Sequence, residues 1–410
     1  MQQNYFVDKN ILYLLPTNKN QYLNFICDEL KKSLTNIYYF NFVEYSYKYG
    51  IRNTEKYISN FIFEKKVNIV ISSPFPGNYQ LSVEFYASLK NKTKIVFWMW
   101  DDEAYFDSHS KYYCQIADAV ITCDFFSVYA YQKLNIPSIF FSTTHPQNIY
   151  FPIEATKDID VCFIGGCNQR DRMEYINFLI DNGINVETFG EGSKNGFLEW
   201  DKFSNILSRS KIALNFNKLS DLLWMNKDDP LLNRARQSGG HWCESALTRT
   251  FCLAEYTPNI HVFAEVGEEV DIFNSKEELI EKVRYYLLHA DIREVIAKNA
   301  YEKAINNFLP QVVIPNILRE LGEILEKNNT QQIEKVEIFL SRTFKVNSIN
   351  GLTFTMFALI KNKKVLYALE LFRELFKYGF FIFFAGFYGG TVRAMKNIMT
   401  LLKTPKNSLK

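Results

Sequence analysis

The stretch GGHWCESALTRTFCLAEYTP, Gly239–Pro258, places one carboxylate, Glu244, on a short helix-like segment just before a compact apolar run, Phe251–Tyr256. The run reads as a buried strand. A helix that feeds a buried strand is half of a βαβ unit, and such strands lie in parallel sheets with ligands at their carboxyl ends. Glu244 is therefore either a surface charge or a ligand for something that docks at a strand edge.

Outward from this point the same alternation covers most of the chain. In the first 150 residues, Ile11–Leu15, Tyr38–Val43, Val67–Ser72, Ile95–Trp100, Ala119–Cys123 and Ser138–Ser142 read as strands. Amphipathic segments such as Gln21–Ser33 and Thr54–Lys65 separate them. His145–Asp158 is polar, contains Pro146 and Pro152, and reads as a linker. The alternation restarts with Ile159–Ile164, which ends in Gly165-Gly166, and continues with Val186–Phe189, Ile212–Phe216, the run after Glu244, Val262–Glu265 and Val270–Phe273. Residues 219–238 form a long polar loop, a kind of segment that often carries function. Long helices are expected over Lys276–His289, Asp291–Phe308 and Val313–Lys327. The reading is an α/β protein of two Rossmann-like lobes, 1–150 and 151–330, with a helical extension, 331–410. A length of 410 residues fits two domains, because a single core stops growing near roughly 250–300 residues.

Apolar residues make up 47% of the chain, enough for packed cores. The formal net charge of +2 gives no global basic field, so nucleic acid is not an expected partner. The charge is uneven, however. Residues 361–410 carry ten Lys/Arg against two Glu, while the rest carries 37 basic and 43 acidic groups. Seven scattered cysteines without a C-x-x-C pair read as reduced thiols in the cytoplasm. The isolated histidines offer no zinc spacing, and the N-terminus shows no signal-peptide pattern.

The strings IDVCFIGGCNQRDR, SRSKIALNFN and WCESALTRTFCLAEYTP through the helices to Ala304 resemble the group 1 glycosyltransferases of GT-B fold, in the branch of spore-maturation-type glycosyltransferase-like proteins. WMWDDEAYFDS and ADAVITCD in the first lobe look like the same branch. The similarity spans roughly residues 95–310 and is densest from Trp242 to Ala304. It implies a nucleoside-diphosphate-sugar donor on the second lobe and a hydroxyl acceptor (a glycan, a lipid-linked sugar or a protein) on the first, in bacterial surface glycan, glycolipid or glycoprotein synthesis. Glu244 aligns with the ribose-binding glutamate of similar enzymes; one carboxylate can accept hydrogen bonds from both ribose hydroxyls. Two positions depart from the pattern. Arg236 stands where many relatives carry a second glutamate, and Arg249 stands where a small glycine is usual.

Gly165, Gly166, Arg170, Arg172, Arg234 and Arg236 are candidates for binding the nucleotide sugar, the arginines as diphosphate clamps that would make a metal unnecessary. The lone Gly-Gly lacks the G-x-G-x-x-G spacing of a dinucleotide fingerprint. Asp101 and Asp102 follow a strand at the expected cleft edge and are candidate bases, with His109 as an alternative. Pro74–Asn78 is a further strand-end loop suited to the acceptor side. No cofactor or metal is expected. A catalytically inactive glycan- or nucleotide-binding protein and a nucleotide-sugar epimerase are the competing functions that the same fold allows.

Tyr378–Val392 (YGFFIFFAGFYGGTV) is uncharged and aromatic, but a bilayer-spanning helix needs about 20 apolar residues. Five basic residues and no acid follow it in 393–410. Residues 378–410 are thus expected either to dock peripherally on an anionic membrane surface or to pack on the body of the protein.

Overall fold

The computed structural model describes residues 5–16, 21–76, 80–168, 171–219, 236–237, 240–327 and 337–403. Strands β1 (Ile11–Leu15), β2 (Ile37–Asn41), β3 (Ile69–Ser72), β4 (Lys94–Met99), β5 (Ala119–Thr122) and β6 (Ser138–Phe140) form a parallel sheet in the order β2-β1-β3-β4-β5-β6. Strands β7 (Ile159–Ile164), β8 (Val186–Phe189), β9 (Ser210–Asn215), β10 (Phe251–Glu255) and β11 (Asp271–Phe273) form a second one, β11-β10-β9-β7-β8. Every residue of β1, β3, β5 and β10 is buried, because helices cover both faces of each sheet. Strand order reverses between β1 and β3 and again between β7 and β9. These are the places where a parallel sheet opens a crevice at its carboxyl edge.

Two expected strands differ. β2 stops at Asn41, whose side chain accepts a hydrogen bond from the Glu44 N–H and starts a helix, Phe42–Tyr49. The segment expected as strand Val262–Glu265 falls in a helical turn, Ile260–Phe263. There Ile260 and Phe263 are both buried, a spacing of three that suits one helix face and not a pleat. The linker carries no helix or strand, as expected, but it is tied down. The Phe151 and Ile153 N–H groups donate to Ser204 Oγ and Ser208 Oγ at 2.9 and 3.0 Å.

Helix Pro310–Lys327 follows the second lobe in sequence and packs on the first. Val313, Ile314, Ile317, Leu321 and Leu325 join β1 residues Ile11 and Tyr13 in one core. The extension consists of helices Arg342–Lys361, Val365–Glu374 and Phe380–Lys403. Its Leu340 and Phe344 enter the core of the first lobe, and Ile349, Met356, Leu371 and Phe383 cluster with Ile51. The first and last of these helices meet across glycines. A Cβ on Gly386 would lie 2.5 Å from Ile349 Cβ and 2.7 Å from the Val346 carbonyl oxygen, so only glycine permits this approach. The aromatic run is therefore packed on one side. On the other it exposes Phe380, Phe381, Phe384 and Tyr388. Among the described residues no helix is long and apolar enough to cross a membrane.

Gly386→Leu is expected to destabilise the protein by about 1–3 kcal/mol, the usual cost of overpacking. Urea unfolding should show it, together with new protease cleavage within 337–403. Unchanged stability would mean that the glycine seam does not hold the extension.

Candidate functional site

The carboxyl edge of the second sheet gathers charge. β7 runs into Gly165-Gly166, and the Arg172 guanidinium donates from Nη1 to the Gly166 carbonyl at 3.0 Å while lying over the Phe163 ring. Burial lowers the Arg172 pKa and the Glu255 carboxylate opposes that shift. Arg172 Nε is buried without a partner among the described residues. Glu255, the last residue of β10, accepts from the Asn217 and Lys218 N–H groups at 3.0 and 2.8 Å and lies 3.6 Å from Arg236 Nε. Lys218 pairs with Asp171 at 2.6 Å. Gly165, Gly166, Arg172 and Arg236 are thus brought to one edge, whereas Arg170 and Arg234 lie outside the described residues. Glu255, Lys218 and Asp171 escaped the sequence reading. For Glu255 there was a signal, since a carboxylate that ends an apolar strand sits where ligands bind.

Glu244 is neither a surface charge nor free. It lies on helix His241–Leu247, only 8% exposed. Its Oε1 accepts from the Tyr150 hydroxyl at 3.2 Å, and its Oε2 lies 2.9 Å from His241 Nδ1. His145 Nδ1 stands 3.9 Å from Oε1. Burial would raise the Glu244 pKa, but His241, with His145 and Tyr150, outweighs it and holds the carboxyl at about 2. His241 is shifted the other way: burial lowers its pKa, and Glu244 more than compensates, leaving it raised. Gly240 must be glycine, because a Cβ there would run into the His145 ring.

This cluster faces the first lobe. The His145 ring packs on Tyr22, which packs on Trp100 at the end of β4. Next to Trp100, Asp101 takes up a left-handed backbone (φ 57°) and accepts from Gln237 Nε2 at 2.6 Å. Gln237 belongs to the second lobe, where its N–H donates to the Asn217 carbonyl. Asp101 therefore sits between the lobes with its pKa raised, burial outweighing the Gln237 hydrogen bond. Glu103 shares Gln237 at 3.4 Å and is raised further, by burial and by Asp124 and Asp101.

The other two candidate bases are elsewhere. Asp102 points into the core of the first lobe, 1% exposed, and accepts from Thr122 Oγ1 at 2.7 Å and the Tyr131 hydroxyl at 2.8 Å. It braces the turn below Asp101 and is not placed to meet a substrate. His109 Nε2 lies 3.2 Å from the Pro74 carbonyl. Its ring lines a separate cavity against the extension, and burial pushes its pKa down to about 4.

Replacing Glu244 by Gln leaves burial as the dominant influence on His241, so the His241 pKa is expected to fall below its ordinary 6.5. The raised histidine contributes stability below 6.5 that is lost as pH rises through its folded value. The depressed carboxyl contributes above its ordinary 4.5 and loses this as pH falls through about 2. The stability gap between wild type and Glu244→Gln should therefore be widest between pH 4.5 and 6.5. NMR titration of the histidines and unfolding at several pH values check both points.

Residues 172–319 match the family model described as glycosyl transferase-like. No curated protein compared with the sequence matches it. The fold is similar to that of HepE from Anabaena in complex with UDP and glucose, at 12% identity and a TM-score of 0.54, covering 77% of this chain and 100% of that one. It is likewise similar to sucrose-phosphate synthase from Thermosynechococcus elongatus, at 9% identity and 0.55, covering 78% and 99%. A glycosyltransferase from Rickettsia africae matches at 13% identity and 0.56, covering 78% and 100%. At such identities the likeness carries the fold. The chain has the two-lobed GT-B fold, and residues 172–319 of its second lobe match the glycosyl transferase-like model.

Proposed function

We propose that the chain is a glycosyltransferase that moves a sugar from a nucleoside-diphosphate sugar to a hydroxyl acceptor. One observation carries this reading: the ionised Glu244 and the Arg172–Arg236 edge face the cleft from the second lobe, across from Asp101 on the first. An ionised carboxylate has about four lone-pair positions. The Tyr150 and His241 contacts take one position on each oxygen, so the carboxylate keeps the capacity to accept from the two ribose hydroxyls. The acceptor oxygen attacks the anomeric carbon, the bond to the diphosphate breaks, and Asp101 takes the hydroxyl proton. Arg172 and Arg236 balance the charge that develops on the leaving diphosphate, so no divalent metal is required. UDP is the first donor nucleotide to test, because HepE was solved with UDP and glucose.

Glu244→Ala is expected to weaken UDP binding by about 1–3 kcal/mol in calorimetric titration. Asp101→Asn should lower turnover by about 10²–10⁴-fold and leave UDP affinity unchanged. Turnover should persist in chelator. Loss of donor without any acceptor would favour an epimerase, and UDP binding without turnover an inactive binding protein.

We further propose that the extension docks on the inner face of the cell membrane. Leu366, Phe381 and Tyr388 are 80%, 85% and 75% exposed, and Lys361, which ends helix Arg342–Lys361, is followed by Lys363 and Lys364 in the turn before helix Val365–Glu374. Apolar burial and attraction to anionic lipid would act together there. The proposed docking face thus includes helix Val365–Glu374 as well as the expected 378–410, of which 404–410 lie outside the described residues. The full chain should sediment with anionic liposomes, less so at high salt or in the Leu366→Asp/Phe381→Asp variant. Equal recovery in the supernatant with and without vesicles would dismiss the idea.

A further inference from the structure

The extension closes a cavity that the donor chemistry does not use. It lies at the carboxyl edge of the first sheet, beside Pro76 after β3 and Ser82, the N-cap of helix Val83–Leu89. Its volume is about 180 Å³, room for roughly a dozen water-sized groups at 10–15 Å³ each. That is the size of one pyranose ring with its hydroxyls.

The lining is polar and electrically balanced. Arg52 pairs with Glu374 at 3.1 Å, and Lys377 stands 3.9 Å from Glu84, so the charges at the rim face each other. Glu55 lies among them without a strong cationic partner. Burial first, and then Glu374, push its carboxyl up to about 7, so that near neutral pH it can donate as well as accept. The Gln80 amide oxygen is buried and has no partner among the described residues. Asn347 and Ser348 supply further hydrogen-bonding groups from helix Arg342–Lys361. The rings of Tyr113, Phe344 and Tyr378 complete the walls, and aromatic faces receive the polarised C–H groups of a sugar ring. A charged ligand would find no unopposed counter-charge here, and an apolar one would leave the amides and hydroxyls unmet.

Resting on the glycosyltransferase reading above, we propose that this cavity is an acceptor subsite for one neutral sugar unit, which makes the acceptor a glycan. The first lobe supplies the strand-edge loops and the extension supplies the roof. The site therefore forms only when the extension is packed in place.

The test is saturation-transfer NMR on the full chain with glucose, galactose, mannose and N-acetylglucosamine, in the presence of saturating UDP so that the donor cleft is filled. At least one sugar should receive saturation. The signal should fall at least tenfold in Gln80→Ala and in Ser348→Trp, which removes a polar partner and fills the space respectively. UDP affinity should be unchanged in both variants, which also reports that they are folded. If either variant fails to fold, the other decides. No transfer to any sugar, or equal transfer to wild type and a folded variant, overturns the proposal. Failure of UDP to bind the wild type would instead count against the donor reading; circular dichroism would then report folding, and saturation lost in folded variants would still uphold this cavity.

Discussion

The buried carboxylate of Glu244 is the constraint around which the cleft is organised. Taking a carboxylate out of water costs several kcal/mol unless charge and hydrogen bonds replace the solvent. Here the replacement comes from two parts of the chain: His241 on the same helix, and His145 and Tyr150 in the linker. The linker is consequently fastened to the second lobe. Through the contacts of His145 with Tyr22, and of Tyr22 with Trp100, the same cluster reaches the end of β4 in the first lobe. Breaking the pair would leave an uncompensated buried charge and loosen both the donor edge and the contact between lobes.

Asp101 and Asp102 show how one turn separates two identical side chains. The left-handed backbone at Asp101 sends its carboxyl toward Gln237 of the opposite lobe, while Asp102 is held inward by Thr122 and Tyr131. A left-handed non-glycine residue is costly, and it persists where the surrounding structure holds it in place. In this chain the inward carboxylate belongs to that support. It is the difference in environment, not in chemistry, that holds the outer aspartate at the contact between the lobes.

The extension extends the same logic to the outer edge of the first lobe. A glycine seam lets helices Arg342–Lys361 and Phe380–Lys403 approach closely, which frees the opposite face of the last helix to carry large exposed aromatics. The inner side of the extension roofs a polar cavity, and the outer side presents an apolar and basic surface.

The parallel architecture was legible because it is written in local patterns. Ile159–Ile164 is a mostly apolar run and Val186–Phe189 a short run with apolar ends, both bounded by turn residues, and both are strands over those bounds. Glu244 could be picked out because a lone carboxylate precedes a buried strand. What depends on partners distant in sequence was not legible. Neither the Tyr150 and His145 contacts of Glu244, some 94–99 residues away, nor the Gln237 contact of Asp101, 136 residues away, leaves a periodic trace. For the same reason His109 resembled a cleft residue until the extension, more than 200 residues later, packed against it through Phe344. Helix Pro310–Lys327 displays an apolar stripe in sequence, but a stripe states only that a face will be buried. Which sheet buries it is decided by the three-dimensional path of the chain, and here that path returns to the first lobe.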